Sequence, residues 1–255
     1  MERFFDINAP GYSVKCKIYC EKIREIDHVI VFTHGFGGHK DNRAAARFAE
    51  TAMAKFKRIA VMTFDWPCHG SDVRKKISMD DCVTYLDLVL DYIRSEIGTD
   101  DIYAYGTSFG GYQLLRYLHI KGNPFQRIAL RCPAIPMYEV MRDRIISGNQ
   151  MDLLEKGKDA SVGFDRKVLI GMDFLKEMEA CDVRQYEYFD DADQILILHG
   201  TKDEIIPEEI VREFSENNVI EYIPIEGADH RFQDLNLMNL ANSHIIRFFE
   251  PSIKK

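Results

Sequence analysis

Short apolar, β-branched runs alternate with longer amphipathic stretches along the whole chain, and this alternation restricts the fold more than any other feature. Residues 28–32 read His-Val-Ile-Val-Phe and residues 194–198 read Gln-Ile-Leu-Ile-Leu. A strand with one wet face shows a polar residue at every second position, so runs this apolar belong to strands covered on both sides. Strands are expected at 12–19, 28–33, 58–64, 101–105, 127–131, 194–198 and 220–225. Helices are expected between them, at 43–55, 109–121, 208–215 and 236–249. Another opens on Ser78-Met79-Asp80-Asp81, a cap followed by acidic residues, and carries Cys82, Leu86, Leu90, Ile93 and Ile97 at helical spacing before Gly98 stops it. The implied class is α/β, a mostly parallel central sheet flanked by helices.

One interval breaks the rhythm. About sixty residues separate Cys132 from Gln194, too many for a plain loop in a compact domain. Short helices are expected at 137–147 and 172–181, with a turn in the Gly-Lys-Asp-Ala-Ser-Val-Gly stretch at 157–163. The division read from this is a core of residues 1–133 and 191–255, with residues 134–190 inserted as a lid or cap over one end of the sheet.

Chemistry concentrates in the turns. Gly106-Thr107-Ser108-Phe109-Gly110 follows one expected strand and precedes one expected helix. A G-x-S-x-G match alone is weak; in a strand–turn–helix setting it is the arrangement that exposes a nucleophilic serine. A serine hydroxyl needs a base to take its proton. Of the eight histidines, His230 lies in a loop between the last expected strand and the last helix, the place that the chain order Ser…Asp…His assigns to it. The acid belongs after the preceding strand, where Asp203 is the first carboxylate; Glu204 and Asp229 are its competitors. An oxyanion needs preorganised donors. The backbone N–H of Phe109, at a helix start, is one candidate. The N–H of Phe36, in His34-Gly35-Phe36-Gly37-Gly38, is the other.

These segments, together with Asp65-Trp66-Pro67-Cys68-His69-Gly70-Ser71, stand in the order and spacing of the α/β-hydrolase superfamily, which the chain resembles over nearly its whole length. Within that superfamily it is similar to small esterases, monoacylglycerol lipases and serine aminopeptidases, and more loosely to hydroxycinnamoyl esterases. The resemblance implies an α/β-hydrolase fold with a Ser108–His230–Asp203 triad. Two departures concern the subfamily: Cys68 stands where a glycine is usual in the D-x-x-G-H-G-x-S loop, and Ser71 comes one place early.

The expected activity is cleavage of a neutral, small-to-medium carboxylic ester. Candidate pocket walls are Trp66, Tyr138, Phe164 and Phe174, with Tyr186, Tyr188 and Phe189 also available. Residues 135–190 hold 8 Lys/Arg against 12 Asp/Glu, which speaks against highly anionic acyl carriers. One rival reading is a serine aminopeptidase with Glu177 and Glu179 holding the substrate amine; another is a non-catalytic binding protein on the same fold.

A net charge of -8 with no basic stripe argues against a nucleic-acid partner. No apolar run reaches the roughly 18 residues of a membrane span, and the N-terminus lacks the basic-then-apolar pattern of a secretory signal. The six cysteines are scattered. Cys16 and Cys20, four residues apart on one strand, lie about 13 Å from each other, too far for a disulfide. Reduced thiols and a cytoplasmic location are expected, as is a buried, inert Cys68. No phosphate-cradle or metal-ligand pattern stands out, so neither cofactor nor metal is expected, and Asp190-Asp191-Ala192-Asp193 reads as a solvated loop.

Overall fold

The computed structural model describes residues 1–164 and 166–253. Its elements, in chain order, are β1 (Glu2–Ala9), β2 (Tyr12–Cys20), β3 (His28–Thr33), α1 (Arg43–Lys55), β4 (Ile59–Phe64), α2 (Met79–Tyr92), β5 (Ile102–Thr107), α3 (Phe109–Lys121) and β6 (Ile128–Arg131). There follow α4 (Met137–Val140), α5 (Gly148–Glu155), β7 (Ala160–Val162), β8 (Val168–Ile170) and α6 (Met172–Ala180). The chain closes with β9 (Ile195–Gly200), α7 (Glu208–Asn217), β10 (Glu221–Ile225) and α8 (Leu235–Phe249).

Eight strands form one sheet in the order β1-β2-β4-β3-β5-β6-β9-β10. The pairings β1–β2 and β2–β4 are antiparallel and the other five are parallel. Every residue of β3, β4, β5, β6 and β9 is buried, as their unbroken apolar character requires. The two faces separate by alternation. Val29, Val31, Met62, Ala104 and Ile197 share one core with α2, α3 and the elements inserted after β6. Ile30, Phe32, Tyr103, Tyr105 and Leu198 share the other with α1 and α8.

Capping follows the sequence. The Ser78 hydroxyl accepts from the Asp81 N–H (3.1 Å), and the Asn42 side chain accepts from the Ala45 N–H (2.8 Å) at the head of α1. α2 departs from the expected regular helix near its end, where residues Ile93–Ile97 widen into a π-helical turn. Gly98 closes it at φ +83°, its N–H bonded to the Ile93 carbonyl.

Two corrections concern strands. β1 has no counterpart in the expected elements, because as an edge strand it exposes most of its residues, Phe4 among them, and its sequence lacks a clean apolar run. The stretch at 157–163 is not simply a turn: Ala160–Val162 pairs antiparallel with Val168–Ile170 as a separate two-stranded sheet. The insertion after β6 is packed into the main core through Val140, Met141, Leu154, Val162, Phe174 and Met178. All six cysteines are free, and among the described residues no helix is long and apolar enough to cross a membrane.

Candidate active site

The parallel strands deliver their following loops to one edge of the sheet, and three of those loops meet there. Ser108 occupies the one-residue turn between β5 and α3 at φ 52°, ψ -119°, a conformation that costs a non-glycine residue of order 1–3 kcal/mol and aims its side chain away from the sheet. The turn is possible because Gly110 lets α3 start against β3. A Cβ there would stand 2.5 Å from the Thr33 carbonyl oxygen. Ser108 N–H donates to the Arg131 carbonyl (3.1 Å), which ties the turn to β6.

The loops after β9 and β10 are stitched together. Lys202 N–H donates to the Ala228 carbonyl (3.0 Å), and Gly227 N–H donates to the Thr201 hydroxyl (2.9 Å). This brings His230 Nδ1 to 2.7 Å from Asp203 Oδ2 and His230 Nε2 to 3.0 Å from Ser108 Oγ. A carboxylate can only accept, so the ring proton sits on Nδ1 and Nε2 is left with its lone pair facing the serine. The Asp203 side chain is fully buried. Its other oxygen accepts from the N–H groups of Ile205 (2.9 Å) and Ile206 (2.8 Å). Burial pushes this carboxyl's pKa up, but the hydrogen bond and charge of His230, helped by the Ile206 N–H and His199, outweigh it and hold it below the ordinary range. The carboxylate is thus kept ionised behind the imidazole. The competing acids are engaged elsewhere. Glu204 Oε2 accepts from the His230 N–H (3.3 Å), and Asp229 Oδ1 accepts from the Gln233 N–H (2.9 Å).

The Phe36 loop runs hard against the nucleophile: a Cβ on Gly35 would lie 3.2 Å from Ser108 Cβ. The Phe36 ring meets the Phe109 ring edge to face at 5.6 Å, and His69 contacts both, at 5.3 Å and 6.2 Å. Trp66, expected as a pocket wall, is fully buried instead and clamps this loop from behind. Its indole N–H donates to the His34 carbonyl (3.0 Å), and its main-chain N–H donates to His34 Nε2 (3.3 Å). His34 Nδ1–H then donates to the Gly35 carbonyl (2.8 Å). Burial keeps His34 neutral, with a pKa well below the ordinary value, and neighbouring His69 adds to the effect.

Burial likewise lowers His69 to about 4, which has a consequence for stability. A histidine in the unfolded chain takes its proton near pH 6.5, whereas this one stays neutral in the fold down to about pH 4. The unfolded state therefore binds more protons in that window, and stability falls as pH drops through it. From pH 7 to pH 4.5 the loss expected from His69 alone is about 2–3 kcal/mol. Urea unfolding of the wild type and of His69→Gln at the two pH values measures it as the difference between their pH dependences; an identical dependence in both would show that His69 is not held neutral.

The cleft in front of Ser108 has a volume of about 640 Å³. One wall is apolar: Met137, Val140, Ile145 and Phe164 from the insertion, with Ile205. Of the expected pocket residues only Phe164 lies there. Tyr138 lines a separate depression with Glu179 and Asp182, Phe174 is buried in the core, and Tyr186 stacks on His119. Tyr188 is buried with its hydroxyl on the Leu115 carbonyl, and Phe189 faces solvent. The insertion's aromatic residues mostly serve packing, and the cleft draws on its aliphatic ones, which carried no distinguishing sequence signal. Cys68 is half-buried, its thiol pushed up to about 12 by burial and nearby Asp72. Among the described residues Cys132, Asp203 and His230 place ligand-type atoms within 4.8 Å of one another, but the latter two are already bonded to each other.

A family model described as Alpha/beta hydrolase family matches residues 30–239. The chain belongs to that family. This alpha/beta hydrolase superimposes with a TM-score of 0.80 on Est1E from Butyrivibrio proteoclasticus, solved with ferulic acid bound, at 19% identity over 98% of this chain and 100% of that one. Mouse alpha/beta hydrolase domain-containing protein 10 gives a TM-score of 0.72 at 16% identity, over 98% and 99% of the two chains. XC6422 from Xanthomonas campestris, an α/β serine hydrolase without a lid, gives 0.65 at 16%, over 100% and 96%. At these identities the likeness is one of fold. No curated protein sequence matches the chain significantly.

Proposed function

We propose that this alpha/beta hydrolase is a serine esterase acting through an acyl-enzyme on Ser108. The observation that carries the reading is the 3.0 Å approach of His230 Nε2 to Ser108 Oγ with Asp203 bonded behind the ring. Ser108 Oγ attacks the ester carbonyl carbon while His230 takes its proton. The N–H groups of Phe36 and Phe109 hold the oxyanion. Collapse expels the alcohol, which receives the proton from His230; water, deprotonated by the same imidazole, then attacks the acyl-serine and frees the acid. Asp203 stabilises the imidazolium in both halves without itself taking the proton. Residues 134–190 act as the cap, their aliphatic side chains forming the apolar wall of the cleft. The molecule works without a bound cofactor or metal, on a small-molecule ester.

Esterase is favoured over aminopeptidase by where the acidic residues of the insertion lie. Glu177 accepts the Met79 N–H at the head of α2 (3.1 Å), and Glu179 lines the separate depression, so neither faces the cleft. The test is a panel of 4-nitrophenyl acetate and butyrate, a hydroxycinnamate ester and amino-acid 4-nitroanilides, run beside fluorophosphonate labelling. Ester turnover with labelling is expected. Faster cleavage of the anilides would favour the peptidase, and inertness to every substrate and to the label would remove the enzyme reading.

A further inference from the structure

The cleft holds a buried cation that the acyl-transfer chemistry leaves unused. Arg131, the last residue of β6, lines the cleft together with Ser108 and His230 and is only 6% exposed. Its guanidinium lies over the rings of Phe232 (5.1 Å) and Tyr105 (6.0 Å). Nη1 meets the Met238 sulfur at 2.7 Å, and Nε is buried with no hydrogen-bond partner. Sulfur is a weak acceptor, and a ring face offers a cation only part of what water gave it. A buried arginine normally has a carboxylate, because an unpaired buried charge is costly. The comparably buried Arg116, whose Nε is likewise without a partner, does reach a carboxylate, Asp80 at 3.5 Å, and the Met79 carbonyl at 2.9 Å. Arg131 has no ion pair among the described residues.

Arg166 lines the cleft as well, and the carboxylate among its described lining residues is Glu204, which already accepts the His230 N–H. Part of the acidic excess of the insertion, which suggested a neutral substrate, is engaged away from the cleft: Asp159 and Asp173 both pair with Lys76.

We infer that the cleft takes an ester bearing a carboxylate in addition to its scissile bond, with the Arg131 guanidinium as that carboxylate's partner. The inference rests on the esterase reading and specifies its substrate class. A planar carboxylate matches the guanidinium fork and supplies the acceptors that Met238 and the two rings do not.

Two matched pairs test it: mono-4-nitrophenyl glutarate against 4-nitrophenyl pentanoate, with the charge on the acyl side, and 4-(butyryloxy)benzoate against phenyl butyrate, with the charge on the leaving group. The readout is the ratio of kcat/KM within each pair. In one pair the anion is expected to lead by about 10- to 100-fold, with the ratio collapsing towards one in Arg131→Met and falling only part-way in Arg131→Lys. No anionic preference in either pair, or a preference that survives both substitutions, overturns the inference while leaving the esterase reading intact. Calorimetric titration of the wild-type protein with glutarate decides the matter without turnover. Binding that is lost in Arg131→Met, or weakened in Arg131→Lys should the methionine variant not fold, supports the subsite even if no ester is cleaved. Absence of binding to the wild type counts against it.

Discussion

Replacing Ser108 with alanine is expected to cut ester turnover by a factor of about 10⁴ to 10⁶ while leaving the fold in place. The reason for the size is that the hydroxyl is the atom that bonds to substrate, and among the described residues it is the nucleophile hydrogen-bonded to His230 Nε2, at 3.0 Å. What survives would come from the Phe36 and Phe109 donors acting on a water. The fold should tolerate the change because the turn is held by main-chain bonds, Ser108 N–H to the Arg131 carbonyl and Tyr112 and Ala134 N–H to the Ser108 carbonyl (each 3.1 Å). None of these involves the hydroxyl. Alanine keeps the strained φ of 52° and neither relieves nor worsens it. The measurement is kcat and covalent labelling by a fluorophosphonate, with the thermal midpoint recorded alongside. An alanine variant that hydrolyses esters at the wild-type rate would place the chemistry elsewhere. One that keeps ligand binding in a wild-type protein without turnover would support the non-catalytic reading.

The parts of this molecule that were legible in the sequence are those where one local rule dominates. Strands buried on both faces announce themselves as unbroken apolar runs, so β3, β5 and β9 could be placed to within a residue or two, and the order of their loops follows. The residues of the candidate triad were legible because each lies in a loop that follows a strand recognisable in the sequence. Edge strand β1 was not, since a strand that buries one residue in eight carries almost no hydrophobic signature. The cleft wall failed for a different reason. Aromatic size identifies a residue that must be covered, and in Trp66, Phe174 and Tyr188 the cover is the protein itself. Which side chains of an insertion face a ligand depends on how its short helices lie on the sheet, and that is settled by non-local packing. The role of Trp66 illustrates the point: the sequence shows it beside a loop, and only the fold shows that it grips His34 from two directions.

That grip has a second anchor, and Asp65→Ala is expected to release it at a cost of about 3–5 kcal/mol. Asp65 is fully buried and joins the loop carrying Phe36 to the loop carrying Trp66 and His69. One oxygen accepts the Lys40 N–H (2.7 Å); the other accepts the Ser71 N–H (2.8 Å) and lies 3.4 Å from Lys40 Nζ. The site is shaped for it: Gly70 turns at φ 57°, and a Cβ there would collide with the Asp65 carboxylate. Alanine would leave the buried Lys40 N–H and the partly buried Ser71 N–H without their acceptor, and Lys40 with only Asp41 (2.8 Å) as a counter-ion. Each orphaned donor alone costs about 1–3 kcal/mol. Because Lys40 stands four residues after Phe36, the loosened segment is the one that presents the proposed oxyanion donor. A donor that matters only in the transition state affects kcat before KM, so kcat should fall by about 10- to 100-fold with KM little changed. Asp65→Asn keeps an acceptor for one N–H and loses the charge, and should lie between the two. Urea unfolding and steady-state kinetics on both variants check the coupling. If Asp65→Ala loses its stability but keeps kcat, the Phe36 loop is held well enough by Trp66 alone, and the oxyanion donor does not depend on the buried carboxylate.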